Sequence, residues 1–482
     1  MLNLKPIAFS TGLVLSKLAV VMLVPLISGL LNDESSYIYF VYTIVVTQSV
    51  GVLLIQYGRN ASFRLSVRDV FLLTCVVWLA ASVFASLPFI FIEHISFANA
   101  FFETMSGLTT TGSTVLSNLD SHPSTVLLWR SCLQWIGGIG FIVLGVAILP
   151  FLNVGGMRLF QSESSDWSDK SAPRMKQVAT NMLAVYVGLS IACAVAYRFS
   201  GMSNFEAINH AMTTLSTGGF STSDQSMSHF SSASHWVASL FMLLGGLPFL
   251  LFIRAFSHRD LKVLFHDQQI RGFIKLVLVT SLSICLWLYV QHRFEFWDAL
   301  RIAIFNVLSI VTTTGFGLGS FDHWTFFSTV VFAFLMVVGA CSGSTSGGYK
   351  IFRFQLAIAL FIRQLKQLIH PAAVYPIRYN GRKVNDQHIR SLVAFSFGFV
   401  LSIVVIACLL SLLGSDPVTA ISGAITAVAN VGPGFGHVIG PDSNFASLSD
   451  ASKLVLSMGM LMGRLEILTV MVLFIPAFWR YS

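Results

Sequence analysis

The chain has 482 residues, of which 55% are hydrophobic and only 10% are Asp, Glu, Lys or Arg. Soluble domains carry about a quarter charged residues, and no hydrophilic stretch here is long enough to form one, so the composition excludes a soluble multidomain protein and predicts one integral membrane domain. The net charge of +8 is explained by basic loops that meet anionic lipid head groups, and it does not indicate nucleic-acid binding.

Apolar runs near the ~20 residues that cross a bilayer follow one another along the chain. Counting one interrupted run once, they predict an all-α polytopic protein with about ten crossings. The first run exceeds signal-peptide length and lacks a clear small-residue cleavage site, so we expect a retained helix. The runs are 7–31, 38–57, 70–92, 124–150, 179–199, 234–256, 272–290, 324–362 (interrupted), 391–413 and 453–478.

Four short segments, each between two of these runs, consist of a cluster of small or hydroxylated residues that is followed by glycine. They read Thr110-Thr111-Gly112-Ser113, Ser216-Thr217-Gly218-Gly219, Thr313-Thr314-Gly315-Phe316 and Asn430-Val431-Gly432-Pro433. One such segment alone is typical of an ordinary loop, but four of them are 106, 97 and 117 residues apart. Glycine lets carbonyl oxygens turn toward a common axis, and a carbonyl ring replaces the hydration shell of a permeating cation. The segments predict a cation pathway with all four quarters in one chain.

A half-polar stretch of about 12–15 residues, too short to cross a bilayer, precedes each segment. The predicted unit is therefore an outer helix, a short re-entrant pore helix, a filter strand and an inner helix, repeated four times. Six residues before the four glycines lie Ser106, Met212, Ser309 and Thr426, an imperfect match in the second repeat. We predict two extra N-terminal helices in 1–69 and pore repeats in 70–178, 179–271, 272–390 and 391–482.

Lys and Arg concentrate in four loops, and basic loops face the cytoplasm. This rule predicts that both termini are cytoplasmic and that the filter segments open to the exterior; the loops are 58–69 with Arg59, Arg64 and Arg68, 151–178, 254–275 and 350–390. A negative outer mouth concentrates cations, although retention of basic residues inside would by itself leave acidic loops outside. The outer acidic residues include Asp33, Asp120, Asp224, Asp322, Asp416 and Asp442.

The third inner helix is interrupted by a glycine- and serine-rich stretch that holds a helix poorly. Non-helical backbone at membrane depth is tolerated where it is buried in protein or lines a water-filled cavity, so we predict a gate below the filter, in Gly343, Ser344, Thr345, Ser346, Gly347 and Gly348. A cytoplasmic linker is one alternative. A phosphate-binding loop is a weaker one, because Lys350 is followed by Ile351 rather than by Ser or Thr.

Arg464 lies in the fourth inner helix, where a charge is costly unless it faces water or a partner. A charge at this position predicts a barrier to cations in the pore, which the predicted gate covers. The alternative is a structural salt bridge between Arg464 and a neighbouring helix. Glu466 follows after two residues and should point to another face. Arg130, Lys17 and Lys453 lie near predicted helix ends, and we expect them to reach the interface. Six cysteines form no disulfide or metal spacing.

These features together resemble the Trk/Ktr/HKT superfamily of potassium transporters over the whole chain, and the two extra N-terminal helices resemble its TrkH/TrkG branch. The resemblance implies K⁺ uptake across the bacterial cytoplasmic (inner) membrane by a homodimer with one pore per subunit. It implies no organic cofactor in this chain, and regulation by a cytosolic ring of TrkA-type subunits that bind ATP/ADP and NAD(H). By position it assigns the filter to Thr110, Thr111, Gly112, Ser216, Thr217, Gly218, Thr313, Thr314, Gly315, Asn430, Val431 and Gly432, and the gate to Gly343 to Gly348 with Arg464.

Two other function classes compete with a gated conduit. An ion-coupled secondary transporter would place a substrate site at the broken helix, but broken helices in such proteins usually occur in pairs within an inverted repeat. Here the pattern predicts one broken helix in a fourfold repeat. An intramembrane enzyme is disfavoured, because the histidines are scattered and the sequence holds no His-Glu-x-x-His signature.

Overall fold

The computed structural model describes residues 2–59, 65–147, 171–260 and 262–480. These residues are mostly helical, as the composition predicts. A small antiparallel hairpin pairs Arg378–Tyr379 with Arg382–Lys383, with Arg378 opposite Lys383. Arg64 and most of the predicted basic loop 151–178 lie outside the described residues.

Six helices of the described part are long and apolar enough to cross a membrane. They coincide with six predicted runs, because a long apolar sequence satisfies its backbone polar groups within a helix. Ser66 caps the third span through a capping box with Asp69, which also accepts a hydrogen bond from the N–H of Asn3. The six are Leu4–Leu31 (Leu4–Val21 and Leu23–Leu31), Tyr37–Gly58, Val67–Glu93 (Val67–Ala85 and Leu87–Glu93), Gln177–Phe199 within Ser171–Phe199, Gln268–Val290 and Asp386–Leu412. A further helix, Ser124–Ala147, covers most of the run predicted at 124–150.

Four helices are too short to cross and stand where the sequence predicts re-entrant helices. We call them short helices 1 to 4: Phe97–Leu108, Asn204–Leu215, Phe296–Val311 and Pro417–Ala429. Side-chain caps begin three of them, with Ser96, Ser203 and Asp416 accepting from backbone N–H groups of the first turn. Their residues are mostly buried, so these helices form the centre of the molecule.

Two further runs that the sequence predicts as inner helices, the second and the fourth, are also broken, so the prediction of a single broken helix was wrong. Ser232–Gly245 meets the start of Phe249–His258 at 91°, and Asp450–Arg464 meets Leu468–Phe474 at 112°. Pro248 explains the first bend, because proline lacks an N–H and disfavours helix in the residue before it. At the second bend Glu466 has a left-handed backbone (φ 59°), which ends a helix.

The third inner segment is interrupted as predicted. Phe326–Val338 ends at Gly339, and Ile351–Ile369 begins after a non-helical stretch that includes the predicted gate. The second arm of the last bent pair comprises the helix Leu468–Met471 and the 3-10 turn Val472–Phe474. The remaining elements are short: the helices Lys262–His266, Gly436–Ile439 and Pro476–Arg480, and the 3-10 turns Leu119–Ser121, Ser226–His229 and Phe321–His323.

The long helices expose large apolar side chains on their outer faces. Phe199 is 87% exposed, Phe397 70% and Leu53 63%. Apolar surface on this scale is not left open to water and marks a membrane contact. Together with the six membrane-length helices, it makes this a multi-pass membrane protein. Five of the six free cysteines are buried and Cys408 is exposed.

Candidate functional site

The four glycine segments share one backbone conformation, which begins at the C-terminal end of each short helix. A glycine with positive φ follows two residues after a left-handed residue; the left-handed residues are Thr110 (φ 53°), Thr217 (54°), Thr313 (57°) and Asn430 (55°). The glycines are Gly112 (φ 88°), Gly219 (75°), Gly315 (81°) and Gly432 (114°). In the second segment the matching glycine is therefore Gly219, one residue beyond the Gly218 that the sequence singles out.

Hydrogen bonds to the short helices give the same alignment. The N–H one residue before each matching glycine donates to a carbonyl oxygen five residues earlier: Thr111 to Ser106 (2.8 Å), Gly218 to Thr213 (2.9 Å), Thr314 to Ser309 (2.8 Å) and Val431 to Thr426 (3.0 Å). The helix position is thus hydroxylated in all four repeats. The expectation that Met212 occupies it was wrong by one residue, because two adjacent glycines left the alignment open.

Gly218 is needed for a different reason from Gly219. The amide nitrogen of Gln134 donates to the carbonyl oxygen of Gly218 (2.6 Å), and the amide oxygen of Gln134 accepts from the N–H of Phe220 (3.0 Å). A Cβ on Gly218 would overlap the Gln134 side chain. Gln134 is fully buried and is a site residue that the sequence pattern did not reveal.

The four segments close on one another in a ring. A Cβ on Gly112 would overlap the carbonyl oxygen of Gly218, and one on Gly219 would overlap that of Thr314. In the same way Gly315 faces the carbonyl oxygen of Val431, and Gly432 faces that of Thr111. Each segment therefore packs its glycine against the backbone of the next, and the fourth returns to the first. Only glycine permits this approach.

A cavity of about 230 Å³ opens on one side of this ring, and we call it the mouth cavity. All four ring glycines line it. Of the acidic residues predicted on the outer face, Asp224 and Asp442 line it too. Asp224 also accepts a hydrogen bond from the N–H of Leu119 (3.2 Å), which fixes its position.

The predicted gate stretch lies against the ring segments. The hydroxyl of Thr345 donates to the carbonyl oxygens of Leu215 (3.0 Å) and Gly245 (3.2 Å). The N–H of Gly347 donates to the hydroxyl of Thr313 (2.7 Å), inside the third ring segment. The stretch is almost wholly buried within the protein, which disfavours the alternative of an exposed cytoplasmic linker.

Arg464 is 1% exposed and reaches the same stretch. Its Nη1 donates to the carbonyl oxygen of Thr345 (2.8 Å) and its Nη2 to that of Gly137 (3.0 Å). Glu466 points elsewhere, as expected, and pairs with Arg353 at 2.6 Å. The structure thus brings together the glycine segments, the gate stretch and Arg464, which are far apart in sequence.

Two interface predictions were wrong. Arg130 is 1% exposed and pairs at 2.8 Å with the fully buried Glu103. Lys453 is 2% exposed and donates to the carbonyl oxygen of Ala446 (2.9 Å). Glu103, fully buried in short helix 1, is another site residue that the sequence pattern did not reveal. The available signal was the apolar sequence around Arg130, since charges within such runs usually face the protein interior.

A family model of cation transport proteins, TrkH, matches residues 37–481 of this chain. The chain belongs to the TrkH family. It is 46% identical to the Trk system potassium uptake protein TrkI of Halomonas elongata, over 96% of this chain and 94% of that protein. It is 36% identical to TrkH of Salmonella typhimurium, over 99% of this chain and 100% of that protein. The crystal structure of the potassium transporter TrkH from Vibrio parahaemolyticus superposes with a TM-score of 0.92 at 36% identity, covering 99% of this chain and 100% of that one.

Membership of the TrkH family confirms the resemblance seen in the sequence. It also confirms that this chain is not an enzyme, because the matching proteins are transporters. The family match does not by itself assign roles to single residues.

Proposed function

We propose that this chain takes up K⁺ across the bacterial cytoplasmic membrane through a gated pore built within one chain. The observation that carries the proposal is the closed ring, in which each glycine packs against the carbonyl of the next segment. The relatives are named as potassium uptake proteins, which supports K⁺ as the transported ion.

The proposed architecture is four pseudo-repeats of outer helix, pore helix, filter and inner helix behind two N-terminal helices, with about ten crossings and the repeat boundaries predicted from the sequence. The short helices are the pore helices. The filter comprises the predicted residues together with Gly219, whose backbone matches Gly112, Gly315 and Gly432. K⁺ is the transported substrate, and the chain needs no organic cofactor.

In this pore the ion exchanges water for backbone carbonyl oxygens. The short helices end at the filter, so the negative ends of their dipoles favour a cation there. Asp224 and Asp442 in the mouth cavity raise the local cation concentration before entry. These effects attract cations in general, and the spacing of the carbonyls selects among them.

The gate stretch and Arg464 close the pathway on the other side of the filter. Thr345 donates to the last residue of short helix 2, Gly347 donates to Thr313 in the third ring segment, and Arg464 donates to the carbonyl oxygen of Thr345. The cavity between the stretch, Arg464 and Glu466 is about 10 Å³, space for about one water molecule. Passage of K⁺ therefore requires the stretch to move away from the filter.

The partners implied by family resemblance complete the proposal: a homodimer in the inner membrane, cytoplasmic termini, and a cytosolic ring of TrkA-type subunits that carries the nucleotide. The name "Trk system" of the relatives supports a multi-component assembly. Lys366 in the helix that follows the gate stretch and the hairpin residues Arg378 and Arg382 are exposed and supply basic surface for such a partner. Anionic lipid is the other ligand that such a surface attracts.

The alternative of a secondary transporter with a substrate site at the broken helix is less well supported. Broken helices mark the substrate sites of secondary transporters when they occur as a pair in an inverted repeat. The three interrupted inner helices instead follow the proposed fourfold repeat, so they do not favour a secondary transporter. The cavity of about 10 Å³ beside the broken helix has no room for an organic substrate.

Ion flux into proteoliposomes tests the proposal, with K⁺, Rb⁺, Na⁺ and Li⁺ gradients on wild type and Gly315→Ser. We expect uptake that favours K⁺ and Rb⁺, and weaker discrimination in Gly315→Ser, because a Cβ there overlaps the Val431 carbonyl. Gly317→Ser is the matched control, since a Cβ at that position meets its nearest atoms only at 3.7 Å. Flux that ignores ion identity, or that Gly315→Ser leaves unchanged, contradicts a carbonyl filter.

A further inference from the structure

Each short helix carries a polar side chain that holds the strand just beyond the filter. The position nine residues before the ring glycine is Glu103, His210, Asn306 and Gly423 in the four repeats. His210 Nε2 lies 3.0 Å from the hydroxyl of Ser221, and Asn306 donates to the carbonyl oxygen of Leu318 (2.9 Å). The fourth repeat uses the neighbouring Ser422, which accepts from the N–H of Phe435 (3.1 Å). We call these contacts the braces.

The first brace is charged. Glu103 accepts from the hydroxyl of Thr114 (2.9 and 3.0 Å) and from the N–H of Val115 (2.9 Å). Arg130 Nε donates to Glu103 (2.8 Å), and Nη2 donates to the hydroxyl of Thr114 (3.2 Å). The other three braces use uncharged contacts, so the first repeat alone carries an ion pair at this position.

Arg130 extends the first brace into the second repeat. Its Nη1 donates to the carbonyl oxygen of Ser221 (2.9 Å), and its guanidinium carbon lies 4.1 Å from the centre of the Phe220 ring. Ser221 is also the residue that the second brace holds through His210. A single buried ion pair thus ties together the strands that follow Gly112 and Gly219.

These anchors leave little freedom to the filter between them. Thr111 is held by Ser106 on one side and Thr114 by Glu103 on the other, so only Gly112 and Ser113 lie between. The Ser113 hydroxyl donates to the carbonyl oxygen of Gly432 (2.8 Å), which passes any displacement to the fourth segment. Charge-assisted hydrogen bonds are shorter and stronger than neutral ones, so this brace is the stiffest of the four.

We propose that Glu103 and Arg130 are positioning residues for ion selection: their ion pair fixes the spacing of the filter carbonyls in the first two repeats and thereby the preference for K⁺ over Na⁺. The inference rests on the proposed transport function. A buried ion pair is a poor source of stability compared with apolar packing, whereas it imposes a defined geometry on the groups that it touches. Carbonyl spacing is the quantity that must be defined in a filter.

The test is the ratio of K⁺ to Na⁺ uptake in proteoliposomes for Glu103→Gln, Arg130→Lys and Thr114→Val. A lower amount of folded protein lowers both fluxes and leaves their ratio unchanged. We expect the ratio to fall at least about threefold in Glu103→Gln. This fall corresponds to roughly 0.65 kcal/mol, because each tenfold change in an equilibrium corresponds to about 1.4 kcal/mol. Arg130→Lys keeps the charge and should retain part of the ratio. Thr114→Val keeps both charges and the side-chain shape, so it reports on the brace if the charge variants fail to fold.

The control is Asp69→Asn, which removes another buried carboxylate whose hydrogen bonds go to Ser66 and Asn3 at the start of a membrane-length helix. It should lower thermal stability and leave the ratio unchanged. Two outcomes overturn this inference and leave the proposed function intact. One is an equal loss of selectivity in Asp69→Asn. The other is an unchanged ratio in Glu103→Gln and Thr114→Val when the wild type is selective. A wild type without K⁺-selective uptake overturns the proposed function, and this inference with it.

Discussion

Arg464 and Arg130 are both arginines buried in apolar helices, yet their surroundings separate their roles. Arg130 lies against the carboxylate of Glu103, which offsets its charge. Arg464 donates to the carbonyl oxygens of Thr345 and Gly137. These contacts hold Arg464 against the gate stretch, where the proposed barrier to a cation lies.

Arg464→Gln should raise K⁺ uptake, because it removes both a positive charge and a contact that holds the gate stretch. We expect an increase of about three- to tenfold, the effect of lowering a barrier by roughly 1 kcal/mol. Initial rates of ⁸⁶Rb⁺ uptake into proteoliposomes measure it. Arg198→Gln, at an exposed arginine, is the control and should leave the rate unchanged. A rate equal to or below wild type in Arg464→Gln contradicts the barrier role.

His122 gives a pH dependence outside the membrane-spanning segments. Its Nδ1 lies 2.7 Å from the carboxylate of Glu93, and the hydrogen bond to Glu93 raises the pKa of His122 above its ordinary value. A group whose pKa is raised by folding stabilises the folded state, and the whole of this stabilisation is present at pH values below the unfolded pKa, which is about 6.5 for histidine. The stabilisation is lost as pH rises through the folded pKa.

The expected result is a melting temperature of wild type above that of His122→Asn at pH 5.5, with the gap closing toward pH 8.5. The pair is partly exposed, so its contribution should stay within about 1 kcal/mol. Thermal unfolding in detergent across this range measures it, with His292→Asn at an exposed histidine as the control. A gap that widens toward high pH would refute the assignment.

At the scale of elements, the breaks in the predicted inner helices determine how the gate stretch is held. The third helix resumes at Ile351, and the fourth bends by 112° after Arg464. Arg353 and Glu466 join these two breaks through a 2.6 Å ion pair, with side chains only 4% and 12% exposed. Arg353 also lies 3.8 Å from the centre of the Phe395 ring. The two broken helices are therefore coupled beneath the gate stretch.

Arg353→Gln and Glu466→Gln should each destabilise the protein, and their combination should cost less than the two single effects added together. Residues in one buried network show coupling energies of about 0.5–3 kcal/mol. A double-mutant cycle on the free energy of unfolding in detergent measures this coupling. The matched control is Lys453 with Asp450, 3.9 Å apart, where Asp450 is largely exposed and the coupling should be near zero. Strict additivity for Arg353 and Glu466 would show that the breaks are independent.

At the scale of the whole molecule, the ring is built from residues that are more than 300 positions apart at its closing contact. Gly432 meets the carbonyl oxygen of Thr111, and Ser113 donates to Gly432. The ring therefore exists only when all four segments are in place. A bound ion that contacts several segments should stabilise the whole fold.

K⁺ should raise the melting temperature relative to Na⁺ or choline at equal ionic strength. Ligand at a hundred times its dissociation constant stabilises a folded protein by about 2.7 kcal/mol. Melting in detergent with each chloride salt measures the effect. Gly315→Ser should lose the K⁺-specific part, because its Cβ disturbs the ring at Val431. Equal melting temperatures of wild type in all three salts contradict a K⁺ site in the ring.

Several features followed from the sequence because they depend on local chemistry. Apolar length determined the six long helices, and the Ser- and Gly-rich composition from Gly343 to Gly348 determined the interruption of the third inner helix. Glycines after hydroxylated residues identified three of the segments, and Asn430-Val431-Gly432 at a similar spacing identified the fourth. Each of these properties can be read within about 20 neighbouring residues, since helix length and backbone freedom are local quantities.

Other features were decided only by tertiary contacts. Gly218 and Gly219 are equivalent as sequence, and the choice between them depends on Gln134 and on the carbonyl oxygen of Thr314. The position of Arg130 near a predicted helix end predicts the interface, whereas in the fold Glu103, 27 positions earlier, supplies a buried partner. Such contacts join residues that no local pattern relates. The sequence therefore determined which segments form the site, and the packing of those segments decided which atoms meet in it.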